Sequence, residues 1–237
     1  MKNNLRVALF PTVVLFTALH TPVASADVCE KQPAVNLNAT ASEDINNDMV
    51  RLNWTIQVQG ASANEAMSAV NKALEQSVAT LSANKDVQKL RNNIQTYPQY
   101  GKQQIISTWQ AVGTLSFEMN VQTLKSKGAL KVADGLVLSN LEYFPSEAQT
   151  QASRARLLDE AMKQFQAKAD HVAKGFGRTA YTLGEISVND EGAGRPMPMM
   201  ARAYAAADSM SKSVEVATAP GSSQVSVSIN GRVCLKP

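Results

Sequence analysis

Histidine and cysteine, which carry much of the metal and nucleophilic chemistry of proteins, are almost missing from this sequence. The 237 residues include two histidines and two cysteines. His20 lies in an N-terminal apolar segment, so His171 is the one imidazole outside that segment. A histidine-based metal site or a Ser-His-Asp triad would have to be built around this single side chain. We therefore predict no such site, no catalytic residues and no cofactor.

A strong charge of one sign is also missing. The chain has 23 Lys and Arg residues against 20 Asp and Glu residues, and Lys2 and Arg6 lie in the N-terminal segment. The rest of the chain is therefore close to neutral. It contains no basic run with interleaved aromatic residues, so we predict no nucleic-acid partner.

Long apolar runs are limited to the N-terminus. Lys2 and Arg6 precede the apolar run Val7–Leu19, and the small residues Ala24–Ala26 follow it. This pattern predicts a signal peptide over residues 1–26, cleaved between Ala26 and Asp27, and hence export to the periplasm. An uncleaved membrane anchor is the alternative. We expect no stable insertion in a membrane after cleavage, because no other run is long enough to span one.

The two cysteines, Cys29 and Cys234, lie near the two ends of the mature chain. A lipid anchor at Cys29 would need small residues just before it, whereas Asp27 and Val28 stand there. Cys29 precedes the first predicted strand and Cys234 follows the last, so antiparallel pairing of these strands would bring the two sulfurs within reach. In an oxidising compartment we predict a Cys29–Cys234 disulfide. Free thiols and an intermolecular bridge remain open.

Several segments alternate apolar and polar residues with the period of a half-buried strand. The apolar sets are Val35, Leu37, Ala39 and Ala41; Val50, Leu52, Trp54, Ile56 and Val58; Trp109, Ala111, Leu115, Phe117, Met119 and Val121; and Val225, Val227, Ile229 and Val233. Such one-sided strands are typical of antiparallel sheets covered on one face. Turn residues at Asn46–Asp48 and at Tyr100–Gln104 predict two hairpins, and Pro98 predicts an edge strand.

Helical spacing predicts three helices that cover the apolar face. The first begins at Ser62, the second spans Leu124–Asp134, and the third runs from Ser146 to Gly175 or Gly177. For the third helix, the predicted buried stripe is Ala148, Ala152, Ala155, Leu158, Met162, Phe165, Ala169, Val172 and Phe176. The predicted fold is therefore α+β, an antiparallel sheet covered on one face by about three helices, in a single domain over residues 27–237.

The segment 189–213 differs in composition, being rich in methionine and alanine. Met197, Met199 and Met200 are weak candidates for a Cu(I) site, since soft sulfur ligands suit a soft metal, or for oxidant scavenging as sulfoxides. A flexible loop whose methionines form a contact surface is the simpler interpretation, which we prefer.

Paired acids give little support to an enzyme. Asp159 and Glu160 are adjacent in a predicted helix and point in different directions. Asp190 and Glu191 lie in the predicted loop, and the glycines near them do not form a phosphate-binding pattern.

The order of these elements resembles the SIMPL-domain family, which includes periplasmic immunogenic proteins of Gram-negative bacteria. The resemblance rests on "NNIQTYPQY" (92–100), the Ala-rich helix "ASRARLLDEAMKQFQAKADHVAKGFG" (152–177) followed by "LGEISV" (183–188), and the final strand Ala219–Ile229. It covers about residues 35 to 233. The terminal cysteine pair departs from the usual pattern of the family.

This resemblance implies an α+β fold, export, and a protein without an accepted set of catalytic residues. Some family members form large ring-like oligomers, and some are associated with tolerance of oxidative or other stress. We therefore expect a non-catalytic, self-assembling periplasmic protein with a role in envelope or oxidative-stress physiology. A small-ligand or Cu(I)-binding protein and an uncharacterised hydrolase are the alternatives.

Overall fold

The computed structural model describes Cys29, residues 32–190 and residues 219–237. These residues form, in order, β1 (Ala34–Asn46), β2 (Met49–Gly60), α1 (Ala63–Ser82), β3 (Gln88–Tyr100), β4 (Ile106–Asn120), α2 (Val121–Lys127), β5 (Val137–Phe144), α3 (Glu147–Gly175), β6 (Ala180–Asn189) and β7 (Ser222–Lys236). The predicted α+β class, with three helices and the longest one in the C-terminal half, is confirmed.

The strands are divided between two antiparallel sheets. One sheet has the order β1-β7-β6, and the other has the order β3-β4-β2-β5. The first strand pairs with the last along the whole length of β1, from Ala34 opposite Cys234 to Asn46 opposite Ser222. Alternation along a strand indicates that one face is buried, but it does not say which strand lies beside it. The division into two sheets therefore first becomes visible in the structure.

Of the two predicted hairpins, one is confirmed and one is wrong. β3 and β4 pair across Tyr100–Gln104, and Pro98 lies on an edge strand as predicted. The turn at Asn46–Asp48 forms no hairpin, because β1 pairs with β7 while β2 pairs with β4 and β5. The turn residues instead carry the chain from one sheet to the other.

Helix α1 covers one face of the four-stranded sheet. Ser62 accepts a hydrogen bond from the Glu65 amide at 3.2 Å, and the Glu65 carboxylate accepts one from the Ala61 amide at 2.9 Å, so the helix begins where the sequence predicted. The core beneath it includes Val50, Leu52, Ile56, Val70, Leu74, Leu81, Leu115, Phe117 and Met119.

Helix α3 covers the three-stranded sheet, lying mainly on β1 and β7. Its buried residues are Ser153, Leu157, Ala161, Phe165, Ala169 and Ala173. The predicted stripe is partly wrong, since Ala148, Ala152, Ala155, Met162 and Phe176 are exposed. The alanine content made several helical faces look equally apolar, and the larger Leu157 and Phe165 decide which face packs.

The second predicted helix was placed too late. The structure has α2 at Val121–Lys127, where Asn120 accepts a hydrogen bond from the Gln122 amide and Gly128 ends the helix with a φ of 72°. Val121 therefore begins a helix and does not extend β4. Gly128 lies inside the predicted helix, but in the structure it ends the helix.

The two sheets meet at Asn47 and Asp48. The buried Asn47 side chain donates to the Pro220 carbonyl at 2.6 Å and accepts from the Ser223 hydroxyl at 2.7 Å. Asp48 accepts from the Val121 amide at 2.9 Å and, through its carboxylate, from the Ser146 amide at 2.6 Å. The same turn thus fixes the starts of β7, α2 and α3.

Candidate functional site

The outer edge of β6, which we call the β6 edge, combines exposed apolar side chains with a free strand. Among the described residues β6 pairs with β7 alone. Leu183, Ile186 and Val188 are 51%, 39% and 48% exposed. Leu183 lies opposite Val233 and Val188 opposite Ile229, so these side chains project to the face that α3 covers over β1 and β7.

The beginning of β6 is held to α3, whereas its later part is open. Burial and the nearby Asp170 carboxylate raise the pKa of Tyr181. Further along, β6 has one extra residue between Leu183 and Ile186, where a side chain at Gly184 would come within 3.0 Å of the Arg232 carbonyl. Beyond this bulge, Ile186 and Val188 remain exposed beside the helix.

The other edge strands lack this combination. β3 contains Pro98, Lys89 and Arg91, all of which discourage pairing with another chain. β5 is short, with eight residues. β1 keeps its apolar Ala39 and Ala41 buried beneath α3. In the part of the chain that the structure describes, β6 is the edge best suited to accept another strand.

A charged cluster lies on the four-stranded sheet, on the face that α1 does not cover. Arg51 donates to Glu118 at 2.6 Å and to Glu142 at 2.6 Å, and Lys89 lies 3.1 Å from the second Glu118 oxygen. The Arg51 guanidinium also lies 5.1 Å from the centre of the Phe144 ring. The register of β2, β4 and β5 places these side chains side by side.

Glu118 is ionised and held by two cations. Its side chain is 4% exposed, and burial alone would raise its pKa, but hydrogen bonds and charge from Arg51 and Lys89 hold the pKa below the ordinary value. A carboxylate in this state is a poor proton donor and has its oxygens occupied. The cluster therefore links all four strands of this sheet, with Lys89 on β3, Glu118 on β4, Arg51 on β2 and Glu142 on β5. In the sequence these residues appear only as polar positions of alternating strands, and alternation does not show which positions lie opposite each other.

Cys29 and Cys234 form the predicted disulfide, with their Cα atoms 5.3 Å apart. The pairing of β1 with β7 brings them together, and the Leu235 amide donates to the Pro33 carbonyl beside the bridge. Both cysteines are buried. The bridge is a structural link and offers no accessible thiol.

The other candidates from the sequence do not converge. Asp159, Glu160 and His171 are exposed on α3, and Glu160 accepts from Gln164 on the same helix. Asp190 is exposed at the end of a described segment. Among the described residues, no group of three or more His, Cys, Asp or Glu side chains is arranged to hold a metal ion. Met197, Met199, Met200, Glu191 and the cleavage residues Ala26 and Asp27 lie outside the described residues.

Comparison with known families gives one match. The family model named SIMPL, described as a protein of unknown function (DUF541), matches residues 35–233. The chain belongs to the SIMPL family. A search of curated proteins found no match.

The SIMPL match spans both sheets, all three helices and the junction at Asn47. The SIMPL description names no activity, and a fold does not specify a function by itself. No helix in the described ranges has the length and apolar character needed to cross a bilayer.

Proposed function

We propose that this SIMPL protein is a non-catalytic periplasmic protein that assembles with copies of itself through the β6 edge. The signal-like segment over residues 1–26 and the Cys29–Cys234 disulfide support export, because disulfides persist in oxidising compartments. In this proposal residues 27–237 act as one domain. The assembly supports the envelope or resistance to oxidative stress through its contacts.

The observation that carries the proposal is the outer edge of β6, which has no partner strand among the described residues. A strand with free amide and carbonyl groups next to exposed apolar side chains is a template for pairing with another strand. Natural monomers usually blunt such edges with proline, lysine, a bulge or a cover. The bulge of β6 lies between Leu183 and Ile186, and residues 186–189 beyond it pair with β7 in regular register. Within its ten residues β6 contains no proline and no lysine, and Glu185 is its one charged residue.

A second copy fits this edge better than an unrelated peptide. Two copies of β6 related by a two-fold axis would pair antiparallel and place Leu183, Ile186 and Val188 of each copy beside those of the other. The patches would be self-complementary, as a two-fold interface requires. The Glu185 carboxylates of the two copies would repel each other, which disfavours registers that place them directly opposite.

Light scattering after size-exclusion chromatography tests the proposal. The mature protein should elute with a mass of two or more chains, and the double variant Leu183→Lys, Val188→Lys should shift to the mass of one chain. Met67→Lys on α1 is the control, because Met67 is similarly exposed at 43% but lies on a helix. A wild type that is monomeric at tens of micromolar, or equal masses for all three proteins, would contradict the proposal.

A further inference from the structure

The tip of the β3–β4 hairpin carries a second apolar surface, unrelated to β6. We define this hairpin tip as Tyr100, Lys102, Ile105 and Ile106. Tyr100 and Ile105 are 62% and 64% exposed and Ile106 is 43% exposed. Tyr100 lies directly opposite Ile106 in the ladder, and a 3-10 turn at Lys102–Gln104 joins the strands.

The hairpin tip projects from the sheet. The last residue of β2, Gly60, lies opposite Trp109, so Ile106, Ser107 and Thr108 extend beyond β2. At about 3.3 Å per residue, this extension measures roughly 10 Å before the turn itself is added. An interfacial segment typically buries its apolar side about 5–10 Å into a bilayer. The tip is long enough to reach that depth without the rest of the sheet entering.

The conformation of the tip is fixed. The Gly101 amide donates to the Ile105 carbonyl at 2.8 Å, and the Ser107 hydroxyl donates to the Gln99 carbonyl at 3.0 Å. Gln104 has a φ of 58°, which an ordinary residue adopts only when its surroundings hold it there. Because the tip is already ordered, docking requires little further ordering of the chain.

The charge around the tip favours an anionic partner. From Val87 to Phe117 the chain contains Lys89, Arg91 and Lys102 and no acid. Lys89 is engaged with Glu118 at the far end of the hairpin, whereas Lys102 is exposed at the tip. Helix α1, which follows β2, has one acid in its first turn, Glu65, whose carboxylate accepts a hydrogen bond from the Ala61 amide. Tyrosine with lysine beside isoleucine is the composition that lies well at a lipid headgroup boundary.

The apolar area of the tip is small for a protein interface, and a turn lacks the row of strand amide and carbonyl groups that the β6 edge offers for pairing. Even if each of the three side chains could bury the roughly 150–250 Å² of an aromatic residue, their exposed fractions of 62%, 64% and 43% would offer only about 250–420 Å². A stable protein interface needs about 800 Å² from each partner. A bilayer imposes no such requirement, because a few inserted apolar side chains and one cation can hold a segment at its surface.

We infer that the β3–β4 hairpin tip docks on an anionic phospholipid bilayer, with Tyr100, Ile105 and Ile106 at the headgroup boundary and Lys102 against lipid phosphate. Export of the chain would bring this tip to the surface of an envelope membrane. The inference uses the four-stranded sheet, so it does not depend on pairing at the β6 edge.

Vesicle flotation of the mature protein tests the inference. Vesicles of phosphatidylglycerol with phosphatidylethanolamine should carry the wild type upward, and phosphatidylcholine vesicles should carry less. Ile105→Ser with Ile106→Ser should lower partitioning at least tenfold, and Lys102→Gln should lower it about fivefold on the anionic vesicles only. Phe176→Ser is the control, since Phe176 is 67% exposed at the end of α3. It should float like the wild type.

Fluorescence supplies a second readout that keeps the fold intact. In Tyr100→Trp, brominated lipids should quench the new tryptophan more strongly than they quench Trp54 and Trp109 in the wild type. Failure of the wild type to float with anionic vesicles would overturn the inference. So would equal losses in the Phe176→Ser and tip variants, or tip variants that change the mass of the assembly and leave flotation unchanged, which would indicate a protein contact.

Discussion

At the scale of single residues, two buried polar groups hold the architecture together. Asn47 joins the turn between the sheets to the start of β7, with a hydrogen bond to Pro220 and one from Ser223. Glu118 joins three strands through Arg51 and Lys89. A buried polar group that loses its partner costs more than a hydrogen bond contributes, because it remains desolvated. Both positions should therefore be sensitive to conservative substitution.

Asn47→Ala should lower the free energy of unfolding by about 2–3 kcal/mol, because it leaves the Ser223 hydroxyl and the Pro220 carbonyl without their partner. Urea denaturation of the mature protein measures this change. Asn46→Ala, at an exposed neighbouring position, is the control and should change stability by less than about 0.5 kcal/mol. Equal losses at the two positions would show that Asn47 does not act through these bonds.

Glu118→Gln should lower stability by about 1–3 kcal/mol at pH 7, where the wild-type carboxylate binds both cations. Because the folded-state pKa of Glu118 lies below its ordinary value, this contribution is complete above about pH 4.5. It is lost as the pH falls through the lowered pKa. Urea midpoints of wild type and variant should therefore converge on acidification. A gap that stays constant from pH 7 to pH 3 would contradict the charge argument.

At the scale of elements, the sequence predicts what is local. Ser62 with Glu65 marked the start of α1, and the Tyr100–Gln104 turn marked a hairpin whose strands are neighbours in the chain. The partner of β1 lies 188 residues further along, at Ser222–Lys236, and no local signal specifies it. The Glu118 cluster depends on the pairing of β2 with β4 and β5, and the β6 edge depends on the pairing of β6 with β7; neither pairing joins strands through a short turn. That is why the sequence revealed neither.

The contact of α1 with β4 depends on Gly113. A Cβ at this position would lie 2.4 Å from Val70 Cγ1 and 2.9 Å from Ile56 Cγ2, both in the core. Gly113→Ala should therefore destabilise the fold by about 1–3 kcal/mol through overpacking. Gly175→Ala, with no atom within 4 Å, should be neutral or stabilising by up to about 1 kcal/mol. Thermal unfolding of both variants checks this, and a stable Gly113→Ala protein would refute the close packing.

At the scale of the whole molecule, the disulfide joins the two ends of a chain whose first and last described strands are partners. The bridge spans 205 residues. In the chain-entropy account a loop of this length contributes at most about 5 kcal/mol by restricting the unfolded chain. It holds β1 against β7 at the edge opposite β6. The bridge does not involve β6, whose outer edge is the one proposed for assembly.

Reduction should therefore lower the free energy of unfolding of the mature protein by up to about 5 kcal/mol. The loss is measured as a lower urea midpoint. The Cys29→Ser, Cys234→Ser variant should show the same loss and should not respond to reductant. Intact mass after alkylation of the unfolded protein, with and without prior reduction, counts the bridged thiols. Alkylation of both cysteines without reduction would contradict the bridge.

The most direct test of the central claim is hydrogen exchange measured by mass spectrometry at two protein concentrations. Pairing of β6 with another copy predicts that peptides from Ala180–Asn189 exchange more slowly at the higher concentration. Peptides from Val137–Phe144, the free edge strand β5, should exchange at the same rate in both samples. Exchange in Ala180–Asn189 that does not change while light scattering shows assembly would contradict the account.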